Sequence, residues 1–348
     1  MTGRERVLAT IKGDLPDRVP FMEASIDLKI IGALINQPLQ ADNQFDTPSE
    51  LDDVQELRLD AQLALNPIAN RDVITYALRP PTPAKQEAGE EGLQFYYEGA
   101  LKSWDDLEQL EFPDLTSPEF EQSAREYLDR GQEYYKILMT RVGMSAAYLA
   151  IGMEDFFLKM YDDPRFIREV LRRYTEFSAA AVRRAFELGF DAVWTSDDVA
   201  GKNGAFWSPA MFKEIVWPEV ARVADAFHDT GMTWIYHSDG DMHAVLPDLL
   251  DFGIHAFNPI EPQCMDIREL RDTYPDLVLL GNVDVDLLSR GEPAQVRDIV
   301  RGLLEDLGPR GRYAITSGNS IARYCHLENI HAMINAIDEF GWLSPVSS

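Results

Sequence analysis

Only two cysteines, Cys264 and Cys325, occur in the 348 residues, and they lie too far apart for a disulfide framework or a thiol pair with metal-ligand spacing. A reducing compartment is the expectation. No uninterrupted apolar run of about 18 residues is present, which excludes a helical membrane span. The first residues, Met1-Thr2-Gly3-Arg4-Glu5-Arg6, place charges where a signal peptide needs an apolar core, so a cytoplasmic protein is expected. Basic residues are scarce: 32 Lys and Arg face 59 Asp and Glu, a net charge of −27 that argues against nucleic-acid or anionic-membrane partners. The clusters Arg165-Arg168-Arg172-Arg173 and Arg183-Arg184 fall on helical segments and read as solvated faces with acidic neighbours. No G-x-G-x-x-G or Walker-type loop follows any strand-like run, so nothing favours a nucleotide-binding open sheet.

What is present is a rhythm. Thr2 can cap a first helix that stops at Gly13 and Pro16, and Arg18 to Glu23 reads as a strand. A helix is expected over about 49 to 66, then strand-like pieces at Asp72 to Leu78 and Leu93 to Glu98 around Pro80-Pro81-Thr82-Pro83, read together as an excursion from the main fold. From residue 137 strands alternate with helices: strands at 137–142, 191–195, 232–237, 255–260, 277–282 and 312–317, helices at about 209–230, 241–252, 266–274, 294–306 and 327–339. This alternation implies a parallel sheet with right-handed crossovers. With the early strands it gives about eight units, hence a single (β/α)8 TIM barrel over 1–348 with a small insertion in its N-terminal third.

Polar residues collect where these strands end. His237-Ser238-Asp239-Gly240 closes one apolar run, Glu261 the next, and Gly318-Asn319 the last. Side chains two apart on a strand point the same way, so His237 and Asp239 can share a ligand, and Glu261 can complete a metal set. Asp197 and Asp198 follow Trp194-Thr195-Ser196, and adjacent carboxylates at a barrel mouth can bind a metal or a cationic substrate. Asn282 can orient a substrate, and Asn319 is a polar group at a catalytic position. The catalytic candidates are thus His237, Asp239, Asp198, Asn282 and Asn319. Arg141, Tyr148, Asp197 and Tyr236 are the candidates for lining the substrate pocket. Each has a plainer reading: Asp239 as a helix cap, Glu261 as a solvated loop acid, Tyr148 as core, one of the aspartate pair as a loop cap. Arg18 reads as a structural brace.

Gly13 with Asp17-Arg18-Val19-Pro20, Ser208-Pro209, His237-Ser238-Asp239-Gly240, Gly281-Asn282-Val283-Asp284 and Glu328-Asn329-Ile330, in this order, resemble the uroporphyrinogen decarboxylase superfamily. The group includes the decarboxylases and the cobalamin-linked methyltransferases, and the resemblance implies a single (β/α)8 barrel. True decarboxylases carry an Arg-Gln-Ala-Gly-Arg-like loop after the first strand, which grips substrate carboxylates. Glu23-Ala24-Ser25-Ile26-Asp27 stands there instead, and acidic residues repel a polycarboxylate. The decarboxylases' aspartate aligns near Leu65-Asn66-Pro67, their tyrosine near Ile151 and their late histidine on Asn319.

The methyltransferase branch resembles the chain more closely. Its zinc motif, His-x-Cys-Gly, a later glutamate and a Gly-Cys, matches at His237, Glu261 and Gly318, while Asp239 and Asn319 replace the cysteines. One imidazole with oxygen ligands suits a harder divalent ion better than Zn²⁺. The leading expectation is a methyltransferase or demethylase acting on a small molecule, with a divalent metal and a corrinoid (cobalamin) carried by a partner protein. A metal-free decarboxylase, with His237 as general acid and Asp239 as its partner, is the second reading. A non-catalytic tetrapyrrole- or corrinoid-binding protein is the third. A homodimer is compatible with all three.

Overall fold

A computed structural model describes residues 1–39, 51–88 and 94–343. In chain order the elements are α1 (Gly3–Lys12), α2 (Leu28–Leu34), α3 (Leu51–Ala69), β1 (Val73–Ala77), β2 (Ala84–Ala88), β3 (Gln94–Gly99), α4 (Trp104–Glu108), α5 (Pro118–Arg130) and β4 (Tyr135–Thr140). There follow α6 (Met144–Ile151), α7 (Met153–Asp162), α8 (Pro164–Leu188), β5 (Ala192–Ser196), β6 (Ala200–Gly201), β7 (Gly204–Ala205), α9 (Pro209–Met211) and α10 (Trp217–Thr230). The last are β8 (Thr233–His237), α11 (Leu246–Asp251), β9 (Ala256–Asn258), α12 (Ile267–Thr273), β10 (Val278–Val283), α13 (Val285–Arg290), α14 (Pro293–Leu307), β11 (Tyr313–Ser317) and α15 (Leu327–Phe340).

Seven strands form one curled parallel sheet in the order β1-β4-β5-β8-β9-β10-β11, with helices packed outside it. The segment expected as a further strand, Arg18 to Glu23, is not a regular strand. It meets both edges of the sheet at one residue: Phe21 bridges Arg71 on one side and Ile315 on the other, each in the parallel sense. A second departure concerns the expected excursion. Residues 73–77 belong to the main sheet and pair with β4, while the insertion is the antiparallel hairpin of β2 and β3. The expected starts at 49 and Leu93 lie outside the described residues. The helix expected over 209–230 is broken by a π-helical turn, Phe212–Val216, ahead of Trp217-Pro218. A proline cannot donate to the turn before it, which favours such an interruption.

Strand alternation sorts the apolar side chains into two layers. Val73, Ile137, Trp194, Ile235, Val278, Leu280 and Ala314 form a compact inner cluster. Their neighbours in sequence, such as Ile74, Leu138, Val193, Trp234 and Ile315, face the helices in a larger outer cluster. At the amino-terminal end of the sheet, buried Asp72 accepts hydrogen bonds from Arg6 at 2.5 Å, Arg18 at 2.9 Å and the Phe21 amide at 2.8 Å. Arg18 is therefore a brace tying the 18–23 segment to β1. The carboxyl ends of the strands, at the opposite rim, carry the site.

Candidate active site

On β8, Trp234 and Tyr236 point into the outer layer, so His237 and Ile235 point inward. His237 is stabilised by the next strand: its Nδ1 lies 2.8 Å from Asn258 Oδ1. The Asn258 amide is oriented in turn, because Nδ2 donates to Leu280 O and Thr316 Oγ1, each at 3.4 Å. With Asn258 Oδ1 as acceptor, Nδ1 of His237 carries the proton and Nε2 presents its lone pair. That lone pair faces two carboxylates, with Asp239 Oδ1 at 3.4 Å and Asp198 Oδ1 at 3.8 Å.

These three side chains can each offer one ligand atom within 4.8 Å of the others, the one such group among the described residues. Asp239 Oδ2 accepts from Asn319 Nδ2 at 2.8 Å, and the Asp239 amide donates to Asp198 Oδ1 at 3.1 Å. Asp239 Oδ1 is buried and has no hydrogen-bond partner. Burial, opposed by His237 and reinforced by the charges of Asp198 and Glu261, pushes the Asp239 carboxyl up to about 6. A lone pair and carboxylate oxygens this close together can hold a cation between them, either a proton or a metal ion. One imidazole and two carboxylates form a donor set suited to a hard or borderline divalent ion. The loop carrying Asp239 turns at Gly240, whose φ is 88° and where a Cβ would fall 2.6 Å from Gly201 O, so only glycine fits.

Several sequence expectations need correction. Glu261 is not in the three-residue group: its Oε2 accepts the Gly240 amide at 2.7 Å and lies 3.7 Å from Cys264 Sγ, and Asp198 stands in the position expected for it. Asp197 is not a pocket residue. It is fully buried and accepts the amides of Gly143 at 2.7 Å and Ser145 at 2.5 Å, closing the amino end of α6. Tyr236 faces the outer layer, with its hydroxyl donating to Asp197 O at 3.3 Å.

Tyr148, in α6, packs edge-on against Phe156 and Phe206. Burial and the nearby charges of Asp198 and Asp197 hold its hydroxyl well above the ordinary tyrosine range. Arg141 follows β4 and donates to Ser145 Oγ at 2.7 Å, while its Nε is buried without a partner. Asn282 follows Leu280 by two on β10 and so reaches the rim one strand beyond Asn258, outside the hydrogen bonds that knit the carboxylates together.

Sequence reasoning missed Asn258, whose signal was a polar residue alternating with Ala256 beside the His237 strand. It also missed Glu23, which is buried at 1% exposure and accepts the Ser317 amide at 2.7 Å. Burial pushes Glu23 up to about 7 against the Ser317 hydrogen bonds and the charges of Arg71 and His237.

The model of the family described as Uroporphyrinogen decarboxylase (URO-D) matches residues 103–340. Two curated relatives are named uroporphyrinogen decarboxylase. That of Anaeromyxobacter dehalogenans (strain 2CP-C) is 24% identical over 57% of this chain and 56% of its own length. That of Anaeromyxobacter sp. (strain Fw109-5) is 22% identical over the same shares. The matched region thus spans about 56% of the length of these relatives. A solved structure described as a methyltransferase from Methanosarcina mazei superposes with a TM-score of 0.74 at 18% identity, covering 98% of this chain and 99% of that one. At that identity the likeness concerns the fold.

Proposed function

Since the chain belongs to the uroporphyrinogen decarboxylase family, we propose that it is an enzyme acting on a small molecule by methyl transfer or demethylation, with a corrinoid carried by a partner protein as the other methyl carrier. On this reading residues 1–348 act as one catalytic barrel with the 18–23 segment as its eighth strand, working in the cytoplasm as a monomer or homodimer. One observation carries the reading: positions matched to the methyltransferase zinc motif, far apart in the chain, meet at one rim. His237 lies 3.4 Å from Asp239, Asp239 bonds Asn319 at 2.8 Å, and Glu261 bonds Gly240 at 2.7 Å. The M. mazei likeness agrees through the fold alone.

Asp198, His237 and Asp239 would hold a divalent ion, which when bound supplies Lewis acidity or orients a substrate oxygen or nitrogen. The chain's own residues do the rest. Asn258 fixes the His237 tautomer, Asn319 orients Asp239, and Tyr148 and Arg141 border the acids on the α6 side. Oxygen donors in place of two thiolates leave a bound metal less electron-rich, which favours activation of a hard substrate atom over a thiol.

Equilibrium dialysis with Mn²⁺, Co²⁺ or Zn²⁺ followed by metal analysis tests the site. Wild type is expected to retain one ion per chain, His237→Ala and Asp198→Asn to lose it, and Glu261→Gln to keep it. Wild type binding no more than His237→Ala would contradict the proposal.

A metal-free decarboxylase is the second reading, favoured by the elevated Asp239 carboxyl facing His237 and by the names of the curated relatives. There the protonated cluster would deliver a proton to the carbanion left when CO2 departs. Turnover that survives a chelator and follows a bell-shaped pH profile would select it.

A further inference from the structure

Arg141 has no carboxylate partner, in a chain that carries 59 acidic residues against 32 basic ones. Elsewhere guanidinium groups find acids: Nε and Nη2 of Arg172 grip the two oxygens of Glu169 at 2.8 Å each. The half-buried Arg141 makes one hydrogen bond to a described residue, from Nη1 to the neutral Ser145 Oγ at 2.7 Å. Its Nε is buried without a partner, while Nη2, which bonds no described residue, is not closed over. A buried N–H without an acceptor costs free energy, so the fold has not satisfied this guanidinium by itself.

The position of this side chain is fixed from several sides. Tyr135, Ile137 and Met139 of β4 point into the inner layer, so alternation turns Arg141, the first residue beyond the strand, toward the inside of the rim. Ser178 Oγ, on α8, donates to its carbonyl. Ser145, which accepts from the guanidinium, donates in turn to Ser196 O at 3.3 Å, and its amide donates to buried Asp197. Ser196 closes β5, two residues before Asp198. The guanidinium is thus held at the β4–β5 part of the rim, beside the strand that leads to Asp198. Tyr148 reports the same placement, because its phenol feels the charges of Asp198, Arg141 and Asp239 together. Even so, Arg141 makes no ion pair with Asp198 or Asp239, which face His237 instead.

We propose that Arg141 receives the carboxylate of a small monocarboxylic acid, whose other end reaches the cluster of Asp198, His237 and Asp239. One guanidinium offers its planar fork to one planar carboxylate. The negative charges of Asp198 and Asp239 on the same rim repel any further anionic group, which sets the number of carboxylates at one. Carboxylate is favoured over phosphate for the same reason, since it carries a single charge and its pair of oxygens matches the fork. Taking this acid as the substrate rests on the reading under Proposed function; its capture by Arg141 does not.

Methoxyacetate and its neutral isostere 2-methoxyacetamide, titrated separately into the full chain and followed by ligand-observed NMR, test the site. Both carry an ether oxygen for the cluster, and only the first carries a carboxylate. Wild type freed of metal with EDTA is expected to bind the acid at least about tenfold more tightly than the amide, through the charge-assisted pair. Arg141→Gln is expected to abolish that preference. Arg141→Lys, which keeps the charge and loses the fork, is expected to reduce it at least about threefold. Arg290→Gln, which removes an exposed arginine paired with Asp286, is expected to leave it unchanged. Circular dichroism melts establish that each variant is folded. Acid binding by wild type that is absent or no tighter than amide binding overturns the proposal. So does a preference that persists in folded Arg141→Gln or is undiminished in Arg141→Lys, one that appears only once Mn²⁺ is added, or tighter binding of inorganic phosphate. Because the titrations are made without metal, a failure of divalent-ion binding would count against the cluster and leave the Arg141 result standing.

Discussion

The chemical character of His237 depends on which of its nitrogens carries the proton, and a single amide decides it. Asn258 Oδ1 accepts from Nδ1, so Nε2 is the nitrogen offered to Asp198 and Asp239. A neighbouring buried acid gives a residue-scale prediction. Burial raises Glu23 from 4.5 to about 7 in the folded protein. The folded state therefore binds this proton more tightly than the unfolded chain does, and the resulting stability is fully present below about pH 4.5 and lost as pH rises through about 7. The span is worth on the order of 3 kcal/mol at most. Urea denaturation at pH 5 and pH 8 is expected to show wild type losing more stability than Glu23→Gln over that interval. Parallel changes in the two proteins would contradict the assignment.

Among elements, the β4–α6 connection leans on one side chain. Asp197 satisfies the amides of Gly143 and Ser145, which open a helix whose first turn has no other side-chain cap. Asp197→Ala leaves both donors buried and unpaired, at an expected cost of about 2–4 kcal/mol in chemical denaturation. A loss under about 0.5 kcal/mol would show that the connection does not need it. Most strands were legible because their apolar runs are short and bounded by turn residues, as with Thr233–His237 and Tyr313–Ser317. The rim was legible for the same reason: a strand's last inward residue is fixed by alternation, which places His237 inside. The same rule applied one residue earlier sends Tyr236 outward, so its assignment to the pocket was avoidable. Glu261 was not avoidable, because β9 stops at Asn258 and the loop turns the carboxylate back onto Gly240.

For the whole molecule, a net charge of −27 must be accommodated without unfolding. Much of the positive charge is spent locally: Arg172 and Arg173 on Glu169, Arg184 on Glu121, and Arg6 and Arg18 on Asp72. Exposed pairs of this kind contribute little each, while the buried Asp72 brace ties the 18–23 segment across the edges of the sheet. The two rims thus differ, with paired charges bracing one end and the carboxylates of Asp198 and Asp239 gathered around His237 at the other. The methyl-transfer reading depends on that second rim assembling a cation site from β5, β8 and the loops that follow them. The most direct measurement is a crystal of the full chain soaked in Mn²⁺, with the anomalous difference map read at the rim. A single peak within coordination distance of Asp198, His237 and Asp239 is the predicted result. A peak held by Glu261 without those three side chains, or no peak above noise in the soaked crystal, would contradict the account.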